Sequence, residues 1–435
     1  MKFEESKRLQ QMSHRLIPGG CHTYAKGDDQ YPVMAPGFIA RGSGCHVWDV
    51  DGNKFIEYGM GLRAVTLGHA YTPVVEAAHE QMLLGTNFTR PAAIELCCAE
   101  AVLGAIEGAE MVKFAKNGSD VTTAAVKLAR AYSGRDRVAI CADQPFFSTN
   151  DWFIGSTAMA AGIPTAVREL TVKFHYNDLG SLQELFERHP GQIACVVMEA
   201  ETFVEPADGF LQKVKSLCQE HGALLVFDEM LTGFRWHLGG AQTYHGVTPD
   251  LSCFGKALAN GFSLAALVGR RDVMDLGGLF HDKERVFLLS TTHGAETHAL
   301  AAAIKTIEIY REKRVVEYLW EKGALLAERL NALSEELGLL DHFAVIGRPC
   351  NLVYTTRDQD GEPSQPFRAL FLQETLRRGL LMPSLVISLS HTDEDIEKTV
   401  EGVGEALLVY RRALKEGPEE YLVGRPLKPV FRTFN

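Results

Sequence analysis

The sequence has no run of about 18 apolar residues, so no membrane-spanning helix is expected. Its opening, MKFEESKRLQQMSHRL, mixes charges and has no apolar core. No secretory signal is expected there, and the chain reads as cytoplasmic. No cluster of Lys and Arg stands against the net charge of −11. That argues against nucleic acid as a partner, because neutralising phosphates takes clustered cations. A small anionic ligand needs only a local site. The nine cysteines are odd in number and contain no CxxC pair. Cysteines scattered in this way behave as small buried hydrophobes in a reducing compartment, so neither a disulfide framework nor a cysteine zinc site is expected. Internal repeats and low-complexity linkers are also missing.

What is present is the composition of an ordinary soluble globular protein, with 46% hydrophobic and 23% charged residues. Forty glycines suit the many tight loops of an α/β fold. A chain of 435 residues is too long for one simple core, so two or three domains or subdomains are expected.

The segment before about Tyr58 reads as irregular, with IPGG and GSG turns, and ends in a hairpin, HVWDV and KFIEY around DGN. From about Gly61 to about Trp320, apolar runs of strand length (MVKFAK, RVAIC, IACVVME, ALLVFDE, LAALVG) alternate with helical patterns such as GFLQKVKSLCQEHG. This alternation predicts an α/β fold with a mostly parallel sheet flanked by helices, and ligands at the carboxyl ends of its strands. The C-terminal part has long helical patterns and few strands, as in a smaller α+β domain. The expected domains are residues 1–60, joining the small domain, 61–320, and 321–435.

Three features could carry chemistry. In FAKNGSDVTTAA a strand, a turn with Gly118 and a helix follow one another, with Ser119 as the expected N-cap and Val121, Ala125, Leu128 and Tyr132 at helical spacing. Such a helix start offers free N–H groups to a phosphate, although many ordinary helices begin this way and no GK[ST] follows. In LLVFDEMLTGFR, Asp228 and Glu229 close an apolar strand, where a carboxylate can hold a protonated ring nitrogen. A metal site with Glu199, or a plain strand end, uses the same residues; no third ligand stands at a suggestive spacing. In DLSCFGKALANGF, Lys256 stands among small and apolar residues. A lysine there either snorkels to water or is kept neutral to attack a carbonyl. Pyridoxal 5'-phosphate needs this set: a phosphate cradle, an acid at the pyridine nitrogen and a Schiff-base lysine.

Over nearly its whole length the chain resembles the class III pyridoxal-phosphate aminotransferases, most closely the glutamate-1-semialdehyde aminotransferase and aminomutase branch. LIPGG, VWDVDGNKFIEY, LGHAY, NGSD, HGALLVFDEMLTGFR, LGGAQTYHGVTPDLSCFGKALANG and SHTDEDIEKT carry the resemblance. It implies fold type I, with a seven-stranded-type sheet and a small domain built from both chain ends. It also implies a homodimer with shared active sites, acting on a small-molecule amino donor and a carbonyl acceptor. By the resemblance, Lys256 forms the Schiff base and shuttles the proton, and Asp228 pairs with the pyridinium nitrogen. Gly118 and Ser119 hold the phosphate, and Thr291, with Thr292 as the lesser candidate, reaches it from the other subunit. Met230 packs on one ring face, Phe146 stacks on the other, and Glu199 belongs to the cofactor surroundings. Arg63 is the candidate for a substrate carboxylate or phosphate, with an exposed structural arginine as the equal alternative.

Several positions depart from the family. PFFSTNDWFIG puts Phe146 and Phe147 where Tyr-His is usual, and Met230 stands where Val is frequent. The segment from Asp151 to Leu179 is short for a mutase gating loop, and Pro383 stands where mutases carry a substrate-facing Glu. The short segment and Pro383 favour transamination, through a pyridoxamine phosphate intermediate and with glutamate as the first candidate donor, over glutamate-1-semialdehyde 2,1-aminomutase activity. The readings from other classes are a non-catalytic PLP-fold binding protein and a metal-dependent enzyme using Glu199 and Asp228. His69, His237, His245, His293 and His391 are expected in core or loop roles, Arg235 in a structural one, and Trp152 in packing.

Overall fold

The computed structural model describes residues 1–434. The chain forms two compact units, Met1–Tyr71 with Glu317–Arg432, and Thr72–Val316.

The first unit carries a four-stranded sheet. β1 (Ile39–Ser43), β2 (His46–Asp49) and β3 (Lys54–Glu57) form an antiparallel meander, and β13 (Leu380–Leu381) joins β3 in parallel. β2 and β3 are the hairpin read from the sequence. Two findings correct the expected irregular N-terminus: the strand β1 and the helix Glu4–Leu16. The helix has acidic residues in its first turn and basic ones in its last, which suits the helix dipole. A short ladder of β11 (Val345–Ile346) and β12 (Val353–Tyr354) and the helices Val315–Glu336, Gln365–Arg377 and Asp393–Glu416 complete the C-terminal part.

The second unit is built on a seven-stranded sheet of β4 (Met111–Ala115), β5 (Arg137–Cys141), β6 (Thr171–Phe174), β7 (Ile193–Met198), β8 (Leu224–Asp228), β9 (Leu251–Phe254) and β10 (Ala265–Gly269). Their order is β4-β10-β9-β8-β7-β5-β6. All neighbours pair in parallel except β10, which is antiparallel to both β4 and β9. β7 and β8 are buried along their whole length, as strands covered on both faces must be. Seven of the nine cysteines are buried and none is in a disulfide. No described helix is long and apolar enough to cross a membrane.

Candidate active site

The sheet topology collects the chemistry. β9, β8, β7 and β5 run the same way, and β4, separated from β9 by the reversed β10, runs with them. Their carboxyl ends therefore lie along one edge. The helix Gly118–Ser133 starts just past β4, Phe146 follows β5, Glu199 follows β7, Asp228 ends β8 and Lys256 follows β9. Every one of these residues is on a loop or strand end that a parallel strand aims at that edge.

The helix start differs in detail from expectation. Asn117, not Ser119, is the N-cap, and the Asp120 carboxylate accepts from the Asn117 N–H (3.2 Å). The reason is the side-chain partnership. Ser119 Oγ is turned to the neighbouring loop, where it accepts from the Thr149 N–H (2.9 Å). Its hydroxyl proton is still available to an anion at the helix start. Gly134 closes the helix at φ 67°, the left-handed conformation a C-cap glycine supplies.

Asp228 is buried, and its Oδ1 accepts from the Met230 N–H (2.9 Å). Burial pushes its carboxyl up to about 6, against the Met230 N–H and the positive charge of Lys256, which both pull it down. Beside it, Glu229 is pushed by burial to about 7. Its oxygens accept from the Thr232 hydroxyl, from the Ala241 N–H (2.9 Å) and from the Gln242 N–H (2.7 Å), so it anchors the loop after β8 instead of facing a ligand.

Lys256 is only partly buried and opens a short 3-10 turn, Lys256–Ala259. Its φ of 42° is left-handed, a conformation that costs a non-glycine residue about 1–2 kcal/mol. Local strain of this kind is held where surrounding structure fixes a functional group. Met230 lies between the lysine loop and the helix start. A Cβ on Gly118 would stand 3.0 Å from its Sδ, and one on Gly255 2.7 Å, so a side chain at either position would displace the end of Met230.

The loop after β5 is clamped on the helix Gly118–Ser133. The Thr122 hydroxyl donates to the Phe147 carbonyl (2.9 Å), and Thr123 Oγ1 accepts from Trp152 Nε1 (2.8 Å) and Asn150 Nδ2 (2.7 Å). Phe147 is 2% exposed and packs edge-on against Phe153, whereas Phe146 is 45% exposed. Phe146 also meets Phe153 edge-on (ring centroids 5.7 Å), but of the two phenylalanines it is the exposed one. Trp152 is buried packing. Glu199 is buried, and its backbone is held from both sides by Gln144: the Glu199 N–H donates to Oε1 (2.7 Å) and the Glu199 carbonyl accepts from Nε2 (2.7 Å). Gln144 escaped the sequence reading, since a lone glutamine in a loop carries no local signal.

Thr291 is exposed in a turn closed by the Gly294 N–H on its carbonyl (3.2 Å), and Asn87 Nδ2 donates to the Thr292 carbonyl (3.0 Å). Arg63 belongs to the other compact unit. It ends a turn in which Met60, Gly61, Leu62 and Arg63 all have positive φ (41°, 59°, 57° and 69°), and its Nε donates to Asn351 Oδ1 (3.0 Å). His245 pairs with buried Glu201 (2.6 Å), His293 with Glu296 (3.0 Å) and His69 with Glu57 (2.7 Å). His237 Nδ1 accepts from the Gly239 N–H, and His391 bonds Ser388. Arg235 is fully buried, with Nε donating to the Leu231 carbonyl.

These residues fit pyridoxal phosphate. A buried carboxyl at about 6 becomes a stable carboxylate when a cationic ring nitrogen stands against it. The helix start supplies N–H donors and the Ser119 hydroxyl for a phosphate. Phe146 offers a ring face, and Lys256 the amine.

The family model "Aminotransferase class-III" matches residues 24–401. A glutamate-1-semialdehyde 2,1-aminomutase of Desulforamulus reducens is 32% identical over 95% of this chain and 99% of its own length. A 3-aminobutyryl-CoA aminotransferase of Cloacimonas acidaminovorans is 31% identical over 95% and 99%. The FumI protein of Sphingopyxis sp. MTA144, solved in its PLP internal aldimine form, superposes with a TM-score of 0.86 at 30% identity, covering 96% of this chain and 99% of that one. The chain belongs to the class III aminotransferases, enzymes that work with pyridoxal 5'-phosphate.

Proposed function

We propose that the chain is a transaminase that moves an amino group from a small amino donor to an aldehyde or ketone, with Lys256, Asp228 and the helix start at Gly118–Ser119 as its cofactor site. The observation that carries this reading is the arrival of those three groups, from three parallel strands, at one sheet edge. The bound cofactor supplies an electron sink for the carbanion left when a proton departs from the substrate's Cα. Lys256 is the amine that would hold the cofactor covalently. With its amine free, Lys256 would take and return that proton. Asp228, with its carboxylate fixed by the Met230 N–H, holds a proton on the ring nitrogen. The Gly118–Ser119 N–H groups and the Ser119 hydroxyl bind the phosphate. Met230 and Phe146 orient the ring, and Glu199, fixed by Gln144, borders it.

Arg63 is the residue for a substrate carboxylate; the left-handed turn that carries it supports a functional constraint there. Thr291 would serve the phosphate of a second copy. Exposed apolar side chains in the same unit, Leu83, Leu84, Leu96, Phe280 and Phe287, support a covered face and so a homodimer. Mixing Lys256→Ala with Thr291→Ala subunits should then restore about a quarter of wild-type activity, since half the dimers are mixed and each has one intact site. No recovery would place Thr291 outside a shared site.

Aminomutase activity is the second reading, favoured by the 32% identity to a glutamate-1-semialdehyde 2,1-aminomutase. The test is the half-reaction. With a donor amino acid alone, a transaminase converts its visible cofactor band and releases a keto acid. If only glutamate-1-semialdehyde or its diamino analogue perturbs the band, and 5-aminolevulinate appears without free keto acid, the transaminase reading fails.

A further inference from the structure

Cys45, His46 and Asp395 meet at the sheet of the first unit, and no step of the reaction above uses them. Cys45 and His46 sit at the start of β2, and Asp395 is in the first turn of the helix Asp393–Glu416. Cys45 is 1% exposed and Asp395 5%, whereas the His46 ring is half-buried. One ligand atom from each residue can be chosen so that all three lie within 4.8 Å of one another. The nearest approaches are Cys45 Sγ to Asp395 Oδ2 at 3.3 Å, Cys45 Sγ to His46 Nδ1 at 3.6 Å and His46 Nε2 to Asp395 Oδ1 at 3.1 Å.

We propose that Cys45, His46 and Asp395 form a binding site for a borderline-soft divalent cation of the Zn²⁺ class, which ties β2 to the start of the helix Asp393–Glu416. A tetrahedral zinc ion bonded to sulfur, imidazole nitrogen and carboxylate oxygen keeps its ligand atoms roughly 3.3–3.6 Å apart. The short approaches use both ring nitrogens and both carboxylate oxygens, and one set of ligand atoms lies within 4.8 Å, so rotating the ring and the carboxylate is needed to reach that spacing. Binding forms bonds from the ion to Sγ, one ring nitrogen and one carboxylate oxygen, and the thiol proton leaves to solvent.

Two further features suit an ion. The Thr392 N–H (3.0 Å) and hydroxyl (2.7 Å) both donate to Asp395 Oδ2, which orients the carboxylate as outer hydrogen bonds do in metal sites. His46 also lines a cavity of about 400 Å³, walled by Lys54, Arg378, Lys398, Glu401 and Glu405. The cavity reaches the cluster at His46, and its wall carries both signs of charge. No sequence spacing announces the site, because Asp395 stands 350 residues from Cys45.

The test uses the full-length, cofactor-loaded enzyme. It is stripped of adventitious metal with a chelator, given Zn²⁺, desalted and analysed by atomic emission, then repeated with Co²⁺. Wild type should retain about one zinc per chain, with a tetrahedral cobalt spectrum to the red of the cofactor band. Cys45→Ala and His46→Asn should each bind at least about tenfold more weakly. Cys97→Ala, which alters an exposed cysteine, should bind as wild type does. If Cys45→Ala fails to fold, the half-buried His46→Asn carries the comparison. No retained zinc in wild type, an octahedral cobalt spectrum, or undiminished binding in His46→Asn overturns the proposal.

Discussion

Replacing Asp228 by Asn should slow the amino-donor half-reaction by about 100-fold and leave the fold intact. Asp228 is 3% exposed, and burial raises its carboxyl from 3.8 to about 6. A protonated ring nitrogen against it would return the group at least to its ordinary value. That separation of about two pKa units is about 3 kcal/mol of coupling. Coupling is reciprocal, so the carboxylate raises the pKa of the ring nitrogen by the same amount. Asn keeps an Oδ1 for the Met230 N–H, which lies 2.9 Å from the present oxygen, but has no charge. The ring then loses its proton near neutral pH, and with it about 3 kcal/mol of support for the developing carbanion, which is a factor of about 100 in rate. Stopped-flow absorbance of the cofactor band under single-turnover conditions measures this step free of product release. A rate within about threefold of wild type, in a variant that still holds the cofactor, would refute the reasoning.

In the cofactor-free protein, the stability that Asp228 and Glu229 contribute should be lost as pH rises. Asp228 (about 6 against 3.8) and Glu229 (about 7 against 4.5) both have raised values in the fold, so at these two groups the folded chain binds more protons than the unfolded one across about pH 4–7, whereas buried His391, lowered to about 4, acts in the opposite sense. The advantage of the protonated form is complete below the unfolded values and is gone above the folded ones. The unfolding free energy of wild type less that of Asp228→Asn, from urea denaturation, should therefore fall by about 2 kcal/mol from pH 4.5 to 7; a flat difference removes the burial argument. Lys256→Ala and Lys256→Gly should both fold and fail to turn over. The glycine variant should be more stable than the alanine by about 1 kcal/mol, since φ is 42° there; equal stabilities would mean the turn is not strained.

The parts legible in the sequence are those whose signal is local. RVAIC, IACVVME, ALLVFDE and LAALVG became strands because a strand covered on both faces must be apolar throughout. Gly134 was legible as a helix stop for the same kind of reason. What was missed depends on distant partners. The helix Glu4–Leu16 has few apolar residues, and its free N–H groups at Glu5 and Ser6 donate to the Asp51 carboxylate (both 2.8 Å), which comes from a turn 46 and 45 residues away. β9, LSCF, is short and contains a serine, and the Ser252 hydroxyl donates to Gln242 Oε1 from the short helix Gly240–His245. Phe146 and Phe147 look alike in sequence; one is exposed and the other is core, because the Thr122 hydroxyl holds the Phe147 carbonyl down.

The reversed strand β10 settles where the site can form. The resemblance paired Gly118, Asp228 and Lys256 by motif, but no motif says that β4 lies two strands from β9. A chain that simply placed β4 antiparallel beside β9 would send the start of the helix Gly118–Ser133 to the opposite edge of the sheet, a full strand length from Lys256. Inserting β10, antiparallel to both, reverses the direction twice and brings Gly118 back to the edge where β8 and β9 end. Met230 then lies between the two loops, with its sulfur near Gly118 on one side and Gly255 on the other.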